Sequence, residues 1–415
     1  MSQSLDKEIR TDGTRFLIFP QNRNLAGFEQ PEIVYLASHP GEIQAGPEDN
    51  RFYVVDAPRK IPYGLDYVPP YQRKEDDPVP VPPGPDGHFD YLMPDEPGFF
   101  AAMLYASARR VMEIWENYFG RRISWSFRSR YQKLELIPRL NLQDNAYSGD
   151  GYIEFGYKLL EGGRNGKHYY SSNFDVIAHE IGHQIKNEII GEVQQSSNLQ
   201  FKAHHESFGD LVAIVSVLHF DSVVEKVLES SKGNLFSVNE ISRVAELSHS
   251  DQIRIAFNDI KFDPMLAGDN AHLFSLPFTG GAFDILVDMY QNLLIEREVI
   301  PATLGQDAFH APPEKVPVIQ AEFEQLYLTQ KTLFKEALLN ARDMFGRLMA
   351  TAWDKTTPQA FSFRTVVNHM IDADYELYQG KYSTSIRQCF FWRKLEEAPP
   401  LRLPKPKTII HHIDI

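Results

Sequence analysis

Cysteine is almost absent from this sequence of 415 residues, which contains only Cys389. No internal disulfide can form, and any metal ion that the chain binds must be held by histidine and carboxylate side chains. Cys389 lies in the apolar run IRQCFFW, which is typical of a small buried hydrophobe rather than of a reactive thiol.

Long apolar runs are also missing. No stretch approaches the roughly 18 apolar residues of a membrane-spanning helix, so we expect no membrane span. The opening MSQSLDKEIRTDGT has no basic segment followed by an apolar one, and therefore no ordinary signal peptide. We expect a cytoplasmic protein, or one exported by a route that does not use such a signal.

Positive charge is in deficit, since 42 Lys and Arg face 56 Asp and Glu, which gives a net charge of −14. The sequence has no basic cluster, so a nucleic-acid partner is not expected. It also has no Gly-rich phosphate loop and no GxSxG motif, because GGRNGK lacks the spacing and the Ser or Thr of a P-loop. These absences exclude P-loop nucleotide binding and serine hydrolases of the elbow type.

The order of elements predicts an α+β fold with a core large enough for two lobes. Residues 1–97 form a proline-rich extension with short strands TRFLIF and EIVYLA, and DDPVPVPPGPDG at 76–87 predicts an extended linker. This extension could be a pro-segment or an arm that binds a partner. We expect an α+β lobe over 98–220, a helical lobe over 221–395 and a tail over 396–415.

Within the α+β lobe, one long helix and two strands are predicted. The helix FFAAMLYASARRVMEIWENYFGRR begins near Pro97 and ends near Gly120. The strands are KLELIPRLNL and GYIEFGY, and the second alternates apolar and polar residues.

The segment FDVIAHEIGHQIKNEI at 174–189 carries the strongest chemical signal. His179 and His183 are four residues apart on one helix face, so both imidazoles can bind one zinc ion at about 2.0–2.1 Å. Glu180 lies beside them, where it can take a proton from a zinc-bound water. The stripe predicted to be buried consists of Ile177, Ile181, Ile185 and Ile189.

The start of this helix is predicted from Ser172 and Asp175, which resemble a capping box. A helix that merely carries two histidines is the alternative, because HExxH is expected by chance in roughly one chain of this length in a hundred. The presence of a third ligand would distinguish a metal site from such a helix.

The third ligand is found in AHHESFGDLVAIVSVLHF at 203–220, another amphipathic segment. Glu206 can close the metal site and leave one position for water. Asp210, four residues later, can accept the second ring N–H of a zinc-bound histidine and fix its tautomer. His204 and His205 are the alternative ligands.

HEIGH followed by ExxxD resembles the thermolysin-like metallopeptidases, a gluzincin family. The metzincin pattern is excluded because Lys186 and Ile189 stand where it needs Gly and His. The resemblance covers about residues 98–395. It implies a thermolysin-like two-lobe peptidase, with an α+β N-terminal lobe followed by a mostly helical C-terminal lobe, which hydrolyses proteins or peptides as a zinc endopeptidase.

Two further stretches resemble that family. DNAYSGDGYIEFG is similar to its edge strand, which implies that Asn145 hydrogen-bonds the substrate and that Ala146 offers its carbonyl; a turn residue is the alternative for Asn145. GDNAHLFSLPFTGGAFDILVDMY implies that His272 stabilises the oxyanion and that Asp269 orients its ring. Arg254 would bind a substrate carbonyl, or is a surface arginine.

The sequence departs from the family at two places. The family has a tyrosine after the zinc helix that helps to polarise the scissile carbonyl, and the matching residue is Gln194. The family also binds calcium, but only Asp175 matches a ligand and Val217 occupies the partner position, so the pattern does not support calcium dependence. Val176 would be an apolar wall of the specificity pocket.

Two other functions are weighed against an endopeptidase. An aminopeptidase of the same clan would have a GxMEN-type segment before residue 179, and none is present. A non-catalytic binding protein on a peptidase scaffold would be expected to have lost the general base, whereas Glu180 is retained.

Overall fold

A computed structural model gives the architecture. It describes residues 13–94, 96–159, 166–192, 198–236, 243–244, 254–256, 258–263, 270–309 and 311–396. Over these residues the protein contains both helices and short strands, so the predicted α+β class is confirmed. Asp269, Gln194 and the predicted tail from 397 onward lie outside the described residues.

The chain divides into two compact units. The first contains the described residues up to Asn117 and within Arg121–Glu188. The second contains Tyr118–Gly120, the described part of Ile189–Val244 and the described residues after Gln252. The domain boundaries given by the sequence stay predictions.

The first unit holds most of the strands. A four-stranded sheet has the order β3-β4-β6-β5, in which β3 pairs with β4 and β4 with β6 in parallel, and β5 with β6 antiparallel. Two antiparallel pairs accompany it, β1 with β2 and β7 with β8. The strands are β1 (Thr14–Ile18), β2 (Glu32–Leu36), β3 (Phe52–Val54), β4 (Leu134–Ile137), β5 (Ala146–Gly149), β6 (Tyr152–Phe155), β7 (Tyr157–Leu159) and β8 (Lys167–Tyr169).

Two helices complete the first unit, α1 (Pro97–Phe119) and α2 (Phe174–Ile189), with the last residues of each assigned to the second unit. Helix α1 begins at Pro97 as predicted. Gly120 follows its last residue with φ of 63°, the left-handed conformation with which helices commonly end.

The second unit is mainly helical. Phe208 stacks on Trp353 at 3.7 Å between ring centres, and Phe278 stacks on Phe363 and Phe390 at 5.1 Å each, which places an aromatic core between its helices. Its elements are α3 (Leu199–Val217), α4 (Asp221–Ser231), β9 (Arg243–Val244), β10 (Arg254–Ile255), α5 (Ala271–Glu296), α6 (Ala302–Phe309), α7 (Val316–Asp354), α8 (Phe363–Tyr378) and α9 (Ser383–Trp392).

None of the described helices is both long enough and apolar enough to cross a membrane. This finding agrees with the expectation from the sequence that no membrane span is present.

The segment before residue 97 is built into the first unit. Its strand β3 belongs to the four-stranded sheet. On β1, Phe16 stacks on Phe89 with ring centres 4.7 Å apart and lies 5.8 Å from Tyr105 of α1. Whether this segment serves as a pro-segment or as an arm stays a prediction.

The acidic side chains of β4 and β6 are shielded from solvent. Glu135 and Glu154 are both fully buried. Glu135 accepts hydrogen bonds from the hydroxyls of Tyr53 at 2.6 Å and Tyr63 at 2.5 Å. Glu154 forms an ion pair with Lys60 at 2.6 Å, with both side chains at most 1% exposed. The segment before α1 therefore covers this face and supplies its polar partners.

Gly156, between β6 and β7, is required by a close approach of the backbone. A Cβ at this position would lie 2.3 Å from the carbonyl oxygen of Leu142 and 2.6 Å from that of Asn145. Gly156→Ala is expected to lower the free energy of unfolding by about 1–3 kcal/mol, because backbone atoms must shift. Denaturant unfolding measures the change.

Gly64→Ala is the matched control, since a Cβ there has no atom within 4 Å. This substitution should change stability by less than about 0.5 kcal/mol. Equal effects at the two positions would contradict the steric account.

Candidate metal centre

Helix α2 begins where the sequence predicted, but another residue caps it. Oδ1 of Asn173 accepts the backbone N–H of Asp175 at 3.0 Å, as an N-cap side chain does. The hydroxyl of Ser172 instead donates to the carbonyl of Tyr169 at 2.7 Å. The capping box predicted from Ser172 and Asp175 is therefore wrong, because Asn173 takes the N–H that the serine would have bonded.

The apolar stripe of α2 is buried as predicted. Ile177, Ile181 and Ile185 are fully buried, and Ile189 at the end of the helix is half-buried. Val176, the predicted pocket wall, is 6% exposed. This burial fixes the rotation of the helix and so the direction of its polar side chains.

The two motif histidines and the glutamate between them form a compact group. His179, Glu180 and His183 are 5%, 8% and 8% exposed. The rings of the two histidines have centres 4.5 Å apart and are nearly perpendicular, with an interplanar angle of 80°. One ligand atom from each of the three residues lies within 4.8 Å of the others.

This donor set fits a metal ion. Two atoms that each bind zinc at about 2.1 Å lie at most about 4.2 Å apart, so the group is close to ligating geometry. Imidazole and carboxylate are ligands that zinc accepts, and neutral imidazole also suits copper, iron and nickel. The three residues can therefore hold a metal ion, and the choice of zinc rests on the motif.

Strand β5 is attached directly to this helix. The residue after His183 is Gln184, which is 2% exposed, and its Nε2 donates to Oγ of Ser148 at 2.5 Å and to the carbonyl of Gly149 at 2.9 Å. Among the described strands, β5 stands at the end of the sheet order, as expected of an edge strand. The first unit thus brings the metal motif and the edge of the sheet together.

The two predicted substrate contacts lie where β5 begins. Asn145 is exposed, and its Oδ1 accepts the N–H of Ala146 at 2.9 Å while its carbonyl accepts the N–H of Gly156 at 3.0 Å. Ala146 is half-buried and pairs with Phe155 of β6. The side chain of Asn145 has a local role in shaping the start of the strand, and its contact with a substrate stays a prediction.

The predicted third ligand and the predicted oxyanion histidine contact each other in the second unit. Nδ1 of His272 lies 2.9 Å from Oε2 of Glu206, whose side chain is 13% exposed, whereas that of His272 is 59% exposed. Glu206 is on α3, which is capped by Asn198. His272 is in the first turn of α5, which is capped by Asn270.

The neighbours of Glu206 have distinct environments. Asp210, one turn further along α3, is fully buried. The ring of His204 is also fully buried and lies 5.0–6.1 Å from the rings of Phe208, Phe278 and Phe361. These surroundings are those of a histidine in an aromatic core. His205 is half-buried.

The structure gives fewer contacts for the remaining predicted residues. The backbone of Arg254 lies in β10, and its side chain is not among those that the structure describes. Oδ1 of Asp175 accepts from Nε2 of Gln21 at 3.4 Å, and the residue lies in the first turn of α2, where a negative charge is favourable. Val217 is 2% exposed at the last position of α3.

Gln184 was not among the residues predicted from the sequence to belong to the site. The signal was present, because Gln184 lies three residues after Ile181 and hence on the stripe that was predicted to be buried. A polar side chain on such a stripe needs a hydrogen-bond partner.

No family model and no curated protein matches this chain. The resemblance to thermolysin-like metallopeptidases therefore rests on the motifs of the sequence. The local geometry of His179, Glu180 and His183 is a separate observation.

His168 on β8 was also not identified, and it gives the first unit a pH dependence. Nδ2 of Asn22 lies 3.0 Å from Nε2 of His168, and Oδ1 of the same amide accepts the N–H of Asn24. The amide nitrogen can only donate, so Nε2 accepts and the ring is neutral. Burial lowers the pKa of His168 to about 4, and the charges of Arg23 and Lys158 contribute to a lesser degree.

The folded pKa of His168 is below its ordinary value of 6.5, so the stability it contributes is present above pH 6.5 and is lost as the pH falls toward 4. The difference corresponds to about 3 kcal/mol of unfolding free energy. His168→Gln should remove about that much of the loss between about pH 7 and about pH 4. The comparison uses denaturant unfolding of the metal-free protein, and an identical pH dependence in both proteins would contradict it.

Proposed function

We propose that this chain is a zinc-dependent endopeptidase of the thermolysin-like gluzincin type. The observation that carries the proposal is the buried group of His179, Glu180 and His183, on a helix that is bonded to the edge strand β5. The α+β first unit and the mainly helical second unit would correspond to the two lobes of that family. The protein or peptide substrate would pair with β5 as an added strand.

In this proposal His179, His183 and Glu206 hold the zinc, and Asp210 orients one of the histidines. Zinc, when bound, supplies Lewis-acid polarisation of the scissile carbonyl and lowers the pKa of a water molecule. Glu180 takes the proton from the attacking water and delivers it to the leaving amine. Its position beside both histidines on one turn of α2 suits that role.

His272 would support the oxyanion. Its Nδ1 lies 2.9 Å from Oε2 of Glu206, so the contact with a substrate oxygen would be made through Nε2. Asn145, Ala146 and Arg254 would contact the substrate backbone. The position of Gln194, where the family has tyrosine, leaves His272 as the main support for the oxyanion in this proposal.

The test is cleavage of an unstructured protein such as casein by the full-length zinc-loaded chain, with the fragments mapped by mass spectrometry. We expect internal cuts that a chelator abolishes and that added zinc restores. Trimming from the amino end alone would indicate an aminopeptidase. A zinc-loaded protein that cleaves no substrate would contradict the proposal and favour a binding protein.

A further inference from the structure

Gln184 uses both N–H donors of its side chain on strand β5. The amide nitrogen has two hydrogens, and the structure gives it two acceptors, the hydroxyl of Ser148 and the carbonyl of Gly149. The Gln184 side chain is 2% exposed, whereas Ser148 and Gly149 on the strand are half-buried. Breaking these bonds is costly on the helix side, because a buried amide would be left unsatisfied.

The contact joins two parts that the proposed function requires to be in register. Gln184 directly follows His183, so a movement of α2 that displaces this amide also displaces the metal ligand. On the other side, Ala146–Gly149 of β5 pairs with Tyr152–Phe155 of β6. Strand β5 is thus held by its pairing with β6 along its length and by Gln184 of α2 at its end.

We propose that Gln184 is a positioning residue that sets the distance between the metal site and the strand on which an extended substrate lies. This inference rests on the proposed endopeptidase function. The residue touches neither the metal nor the substrate; it acts through β5. A misplacement of about 1 Å between a substrate and the reacting groups can cost about a hundredfold in rate, so a contact of this kind has a measurable effect.

The test compares four variants of the full-length zinc-loaded protein. Gln184→Ala removes both contacts, and Gln184→Glu keeps the shape but loses the N–H donors. Ser148→Ala removes one contact from the strand side and keeps the test open if the helix variants fold poorly. Asn187→Ala, on the same helix, is the control for helix stability.

Two readouts separate positioning from a merely structural role. We expect kcat/KM for a long unstructured peptide to fall about ten- to a hundredfold in both Gln184 variants, against less than about twofold for a short substrate that spans only the scissile bond. Hydrogen exchange of the amides of β5 should become about tenfold faster, while zinc content stays equal to that of the wild type. Asn187→Ala should match the wild type in both readouts.

An equal loss for long and short substrates, or unchanged exchange at β5, would overturn the inference. A wild-type protein that cleaves nothing would refute the endopeptidase and with it any catalytic role for Gln184. The exchange rates would then still decide whether Gln184 holds the strand, so the two failures are distinguishable.

Discussion

Glu180→Gln is expected to leave zinc bound and to lower kcat by about 10²–10⁴-fold, the usual contribution of a general base. Glutamine has the same shape but cannot take the proton of the attacking water. Because His179 and His183 are unchanged, the metal affinity should stay close to that of the wild type. Turnover of a peptide substrate and the zinc content per chain are measured on the same preparation.

Glu188→Gln provides the matched control, since it makes the same change two turns further along α2, where the side chain is half-buried. This variant should keep wild-type turnover. Unchanged turnover in Glu180→Gln would refute the assignment of the base. Loss of zinc in Glu180→Gln would show that the carboxylate is a ligand instead.

Lys60→Ala is expected to lower the free energy of unfolding by about 3–5 kcal/mol, because it leaves the buried carboxylate of Glu154 without its cation. Burial raises the pKa of Glu154 and lowers that of Lys60, so each group depends on the other to remain charged. The ammonium also lies 3.3 Å from the ring centre of Tyr63, which adds a cation–π contact. Denaturant unfolding at neutral pH measures the loss.

The neighbouring residue supplies the control. Arg59 pairs with Asp76 at 3.0 Å, but the two side chains are 62% and 73% exposed. Arg59→Ala should therefore cost less than about 1 kcal/mol. Similar losses in the two variants would contradict a special role for the buried pair. Lys60 lies in the segment before α1. If the prediction holds, removal of that segment would also remove the cation that stabilises buried Glu154.

Local patterns predicted the helices well. The four-residue spacing of isoleucines predicted both the existence and the buried face of α2, because tertiary packing followed the periodicity. The cap was misassigned by one residue. Ser172 and Asn173 are both good cap residues, and the choice between them depends on the 3-10 turn Tyr170–Ser172, which was not predicted.

The burial of the polar face of the sheet could not be predicted from the sequence. The alternation in GYIEFGY puts Glu154 on the face opposite Ile153 and Phe155, but whether that face is buried depends on what covers it. Its partner Lys60 lies 94 residues earlier in the chain, and Tyr63 lies 72 residues before Glu135. No local pattern relates residues so far apart.

In the candidate metal site, too, only the relation between residues close in sequence could be predicted. HExxH fixed the relation between His179 and His183, because the spacing alone puts them on one helix face. The contact between Glu206 and His272 joins residues on two helices, and only the fold of the second unit brings them together. The bonds from Gln184 to β5 likewise depend on how the sheet meets the helix.

The proposed function depends first on the binding of a zinc ion by the two motif histidines, His179 and His183. The most direct test is the zinc content of the purified full-length chain, stripped with a chelator and then titrated with zinc, compared with His183→Ala. We predict about one tightly bound zinc per wild-type chain and none in the variant. Equal zinc content in the two proteins, or none in the wild type, would contradict the claim.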